Sequence, residues 1–180
     1  MCILDPVINF ETNLNGTAAY QQYFGTPTYD DHVWFELLTV GVFQVGLSWQ
    51  AAASKLPVFR QVFADMAIEK VAQFDQVEIE RIQADVRMIR NTRKIRATIQ
   101  NARAILALQA SRQSFSDYLW TFVDQQPQIL TLSDPGVSER SAPISTQLAK
   151  ALKKHGFQFV GPVVTHMFML AGGLLQVIDA

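Results

Sequence analysis

Gln44, Gly46 and Trp49 fall within six positions at the end of the apolar run LTVGVFQVGLSW, residues 38–49. A buried amide such as that of Gln44 must find hydrogen-bond partners or cost stability. Gly46 weakens a helix interior by about 1 kcal/mol relative to alanine. Either a helix ends at this corner, or something outside the helix uses it. Taken alone, Trp49 reads as core packing.

Charge supplies a second candidate. Eight basic residues and a single acid, Asp85, lie between Arg81 and Arg112, a net of +7; the whole chain carries −1, so the remainder carries −8. Such a segment either directs a polyanion to one face or is a solvated helix surface. His32, His155 and His166 are far apart and lack metal-ligand spacing, so each reads as a surface or satisfied core histidine. No P-loop, dinucleotide fingerprint, HExxH or CxxC motif is present, and no cofactor is implied. The one cysteine, Cys2, excludes an internal disulfide and fits a reducing, cytoplasmic setting. No signal peptide is evident.

Helices must position these residues, because strand signals are scarce. The 180 residues suit one domain, and 49% of them are hydrophobic, enough for a substantial core. Asp30 or Asp31 caps a long apolar helix. SWQAAASKLPVFRQVF, residues 48–63, reads as a second helix that bends or restarts at Pro57. Asp75 and Glu78 form a capping-box pattern. Ile95, Ile99, Ala102, Ile105 and Leu106 repeat at helical spacing, with Arg96 and Arg103 off the buried stripe. Ser114 and Asp117 cap the stretch from Phe115. LSDPGVSERSAP is a loop, after which Ser145 caps a helix that stops at Gly156, with Lys153, Lys154 and His155 in its last turn. Gly161 and Pro162 start a final helix. The closing segment GPVVTHMFMLAGGLLQVI reads as a buried helix rather than a membrane span, because it carries His166 and Gln176 and lacks a positive flank after it.

GLSW (46–49), IRNTRKIRATIQNARA (89–104), YLWTFVDQQPQ (118–128) and ALKKHGFQFVGP (151–162) occur in that order. Together they resemble the DNA-3-methyladenine glycosylase I family of base-excision repair enzymes, over a span from about Gly25 to Leu175. The resemblance implies an all-α helix-hairpin-helix DNA glycosylase fold with two lobes and a pocket between them. The hairpin-bearing lobe covers about 30–125, and residues 1–29 with 126–180 form the second. The implied partner is double-stranded DNA carrying an alkylated base; no membrane is involved. By resemblance, Trp49 stacks on the extruded base, and its face suits the positive charge of 3-methyladenine in DNA. Gln44, Gly41 and Phe24 complete the implied base-binding pocket. Arg87, Arg90, Arg93 and Lys94 are the implied DNA contacts.

Departures from the family pattern carry their own expectations. The family reads LEGxQAGLSW, with a glutamate that accepts hydrogen bonds from the base. Here that position is Gly41. Loss of a charged hydrogen bond in a buried pocket costs about 1.5–3 kcal/mol, or one to two powers of ten in binding. Glu36 lies about 140° around the helix from that position and is a poor substitute. The family motif YHDxEWG is AYQQYFG here, with Tyr20 in place of a zinc-ligating histidine and Phe24 in place of the tryptophan. Ile178 falls where a second zinc histidine would be, and Cys2 lies too far upstream. No zinc is therefore expected, and Ile3, Val7, Phe10 and the last helix are expected to tie the termini by apolar packing. In the hairpin, Arg87 and Arg93 replace glycines that let backbone amides approach a phosphate. Two functions follow: a glycosylase of weakened activity, or an inactive relative that binds DNA or a protein.

Overall fold

The computed structural model describes residues 14–179. Along it run α1 (Leu14–Tyr23), α2 (Asp31–Gln44), α3 (Trp49–Ala53), α4 (Leu56–Val62), α5 (Ile68–Val71), α6 (Gln76–Ala84), α7 (Thr92–Ala110) and α8 (Phe115–Trp120). Strand β1 (Gln128–Thr131), α9 (Pro143–Lys154), α10 (Pro162–Ala171) and strand β2 (Leu175–Ile178) complete it. The expected all-α class holds, apart from one parallel pair that sets Gln128 against Leu175. No helix among the described residues is long and apolar enough to cross a membrane. Ile3, Val7 and Phe10 lie outside the described residues, as does Cys2.

Every residue of α2 from Trp34 to Phe43 is buried, so this helix is enclosed on all sides and forms the centre of the core. Helices α3, α7, α8 and α10 pack against it. Its cap is Asp30, whose carboxylate accepts the His32 N–H at 2.8 Å. Asp31 does a different job: it accepts the Phe115 and Ser116 N–H groups at 2.9 and 2.7 Å and so caps α8 from a distance. The buried Glu36 carboxylate is held by Arg60 through two hydrogen bonds of 2.6 and 2.9 Å. Helix α7 turns Ile95, Ile99, Ala102 and Ile105 inward, as its spacing requires.

Two expectations need correction near the end of the chain. Ser145 does not cap α9. Pro143 occupies the first turn, where its missing N–H costs nothing, so the helix begins at Pro143, with Ala142 in the cap position and no side-chain cap. Ser145 then faces inward, fully buried, with its hydroxyl 2.9 Å from His166 Nδ1. The closing segment is not one helix either. α10 stops at Gly172 and Gly173, and the remainder pairs as β2. Gly172 is required there: a Cβ would collide with the Trp34 ring. The same point is fastened by the Gly25 N–H on the Ala171 carbonyl at 2.9 Å and the Thr28 N–H on the Gly172 carbonyl at 3.2 Å.

Burial, with the Arg140 charge as a lesser cause, holds the His166 imidazole below its ordinary pKa. The unfolded chain therefore takes up this proton at a higher pH than the folded chain does. Stability from the neutral ring is complete above the unfolded pKa of about 6.5 and is lost as pH falls from there toward the folded value. Thermal melts from about pH 7.5 to about pH 5 are expected to show this fall, and His166→Asn is expected to flatten it. An unchanged slope in the variant would assign the effect to other groups.

Candidate functional site

The corner at Gln44–Trp49 is a helix end. α2 stops at Gln44, and Gly46 takes a left-handed φ of +77°, which glycine adopts without a Cβ penalty. Ser48 accepts the Ala51 N–H at 3.1 Å and opens α3, so Trp49 becomes its first residue. Lys94, from the first turn of α7, donates to the Phe43 and Val45 carbonyls at 2.8 and 2.5 Å. A cation at the C-terminus of α2 suits the helix dipole. Lys94 is only 5% exposed, and burial lowers its pKa. The expected phosphate contact from Lys94 is thereby corrected, because its ammonium is engaged inside the protein.

Trp49 is half-buried and faces a cavity of about 400 Å³ lined by Tyr20, Gln21, Phe24, Trp49 and Met167. That volume falls within the usual range of small-molecule sites. The Tyr20 and Trp49 rings are stacked, with centroids 6.1 Å apart and planes 29° from parallel. Phe24 lies 5.8 Å from Tyr20, one helical turn on. Burial pushes the Tyr20 phenol up to about 12, so it stays neutral at any physiological pH. Among the described residues, no carboxylate lines the cavity.

Trp49 and Phe24 are thus brought together, whereas Gln44 and Gly41 lie outside the lining set. The Gln44 Oε1 is buried without a hydrogen-bond partner among the described residues. A Cβ on Gly41 would meet only Val164 Cγ1, at 3.4 Å, on α10 one turn before Met167. Three lining residues, Tyr20, Gln21 and Met167, escaped the sequence reading as pocket side chains. Tyr20 was legible through its i, i+4 spacing to Phe24; Met167 sits in an apolar helix and carried no signal.

Helices α6 and α7 form a hairpin through residues 85–91. Arg90 and Arg93 are exposed there. Arg87 is also exposed, but its guanidinium is paired with Asp85 at 2.6 Å and holds that carboxyl down to about 2. Neither Arg87 nor Arg93 has a positive φ, so the turn takes these side chains where the resemblance implies glycines.

A family model for methyladenine glycosylases matches residues 11–178. The chain belongs to this family. It is 36% identical over 159 residues to DNA-3-methyladenine glycosylase 1 of Escherichia coli K12, covering 88% of this chain and 85% of that protein. It is 31% identical over 157 residues to the Haemophilus influenzae enzyme, covering 87% and 85%. A crystal structure of 3-methyladenine DNA glycosylase I superposes with a TM-score of 0.82 at 38% identity, covering 88% of each chain. A structure from Staphylococcus aureus, solved for its recognition of 3-methyladenine, gives 0.79 at 30% identity over 92% and 93%.

The zinc implied by the resemblance does not fit the residues present in this chain. Tyr20 offers a buried neutral phenol, and Ile178 offers hydrocarbon. Among the described residues, no group of three or more His, Cys, Asp or Glu side chains gathers to hold a metal. Near Tyr20 the chain is held instead by the backbone bonds from Gly25 and Thr28 to the end of α10.

Proposed function

We propose that this protein is a DNA N-glycosylase that receives an extruded, positively charged alkylpurine in the cavity of Tyr20, Phe24, Trp49 and Met167. The observation that carries this reading is Trp49, half-buried on the wall of an aromatic cavity large enough for a ligand. Aromatic faces attract a cation electrostatically, by about 2 kcal/mol where water is excluded. In hydrolysis the bond from C1′ to purine N9 breaks and its electron pair neutralises the cationic base. A water oxygen bonds C1′ and releases a proton to solvent. The leaving base needs no proton, so extrusion and stacking bear most of the work. Double-stranded DNA is the substrate, held at the hairpin through Arg90 and Arg93, with Arg87 available only in competition with Asp85.

Release of 3-methyladenine from alkylated duplex DNA, followed by chromatography, tests this reading. Wild-type protein is expected to release the base, and Trp49→Ala is expected to reduce release by about tenfold or more, the loss of one ring–cation contact. A second reading, an inactive relative that binds DNA, is favoured by a cavity lining that holds no carboxylate among the described residues. It predicts salt-sensitive duplex binding with no release. Release that persists undiminished in Trp49→Ala would remove the tryptophan from the site.

A further inference from the structure

Beside the hairpin runs a second groove, of about 520 Å³, lined by Arg93, Arg96, Lys153, Phe157, Gln158 and Phe159. Its walls come from α7 and from the end of α9 with the loop that follows. Residues 86–116 and 140–178, which supply both walls, contain no Asp or Glu at all. They contain eleven Lys and Arg, so against the chain's −1 everything else carries −12. Cations that line a groove without carboxylates produce a focused positive potential, and that potential selects a polyanion.

The groove is also held in shape. Asn101, fully buried on α7, clamps the loop in both directions: its Nδ2 donates to the Gln158 carbonyl at 3.2 Å, and its Oδ1 accepts the Gln158 N–H at 2.8 Å. Gln100 donates to the Gly156 carbonyl at 3.3 Å. Within this clamped loop Phe159 sits at a φ of +58°, a strained backbone for a bulky side chain. Its ring lies under the Arg93 guanidinium, 5.8 Å from the centroid. A guanidinium held over an aromatic face keeps N–H groups to donate to a phosphate. Arg96 and Lys153 are exposed on either side. Arg96 also borders a neighbouring depression that contains Asp75, where it donates to Gln76 at 3.0 Å; that acid is not part of the groove described here.

We infer that the groove of Arg93, Arg96, Lys153 and Phe159 is a second phosphate-binding site, which takes the DNA backbone onward from the hairpin. The inference rests on the proposed DNA substrate, since Arg93 belongs to both surfaces. It adds two contacts, Arg96 and Lys153, that base recognition does not use.

The test is the salt dependence of binding to a fluorescent duplex with one tetrahydrofuran abasic site, for wild type and the double variant Arg96→Gln/Lys153→Gln. Lys70→Gln/Arg112→Gln, which removes the same charge from outside the groove, is the control. Each lost phosphate contact lowers the slope of log K against log salt by about 0.9, so the groove variant is expected to lose close to two units of slope and the control much less. Binding of free 3-methyladenine, read by Trp49 fluorescence, is expected to be unchanged in the groove variant. A groove variant with the wild-type slope, or a control that loses as much, overturns this site and leaves the glycosylase reading intact. A wild-type protein without salt-sensitive duplex binding overturns both. A groove variant that also loses free-base binding would show that the substitutions disturb the fold, and Arg96→Lys/Lys153→Arg, which keeps the charge, must then restore both properties for the site to stand.

Discussion

Arg60→Ala is expected to lower the stability of this protein by about 3–5 kcal/mol, the usual consequence of removing one partner from a buried ion pair. The Glu36 side chain is 5% exposed and that of Arg60 20%, and both carboxylate oxygens are taken by the one guanidinium. Deleting Arg60 strands a carboxylate on the buried helix α2. The residue must then bind a proton or draw in water, and each costs folding free energy. Replacing both partners by leucine is expected to recover most of the loss, because the desolvation penalty of the pair disappears together with its attraction. Equilibrium denaturation in guanidinium measures both variants. A loss below about 1 kcal/mol for Arg60→Ala would mean that Glu36 is hydrated, contrary to its burial. The pair also bears on function, since a carboxylate so held is unavailable to a base in the cavity.

Gly41→Glu is expected to tighten binding of free 3-methyladenine by one to two powers of ten. That factor corresponds to about 1.5–3 kcal/mol for a charged hydrogen bond in a protected site. The backbone at Gly41 admits a Cβ, which would meet Val164 Cγ1 in ordinary van der Waals contact. Val164 lies on α10 one turn before Met167, which lines the cavity. If the carboxylate instead stays trapped in the core, the variant loses stability with no gain in affinity. Fluorescence quenching of Trp49 by 3-methyladenine and a thermal melt separate the two outcomes. A stable variant with unchanged affinity would show that position 41 does not communicate with the cavity.

The same residues show where sequence reading stops. The caps at Asp30, Asp75 and Ser114 were legible because each acts within three residues of itself. Ser145 was misread because a serine before a helical run is a good cap only if nothing else starts the helix, and Pro143 does so first. Lys94 was misread for a different reason. In a basic, amphipathic stretch nothing local separates a lysine that faces solvent from one that reaches the end of α2, because its partners at Phe43 and Val45 are about fifty residues away. The closing segment has helical hydropathy throughout, yet its last residues become a strand because β1 offers them an unpaired edge.

The sequence by itself determined the family, the helical class and the hairpin. By resemblance it also implied departures at Gly41 and at the zinc positions. These follow from residue identity and short spacings, which folding does not alter. Tertiary structure alone decided which aromatic rings wall the cavity, which hairpin cations remain exposed, and that Glu36 is committed to Arg60. Each of those outcomes depends on contacts between residues distant in the chain, and such contacts leave no local periodicity from which to read them.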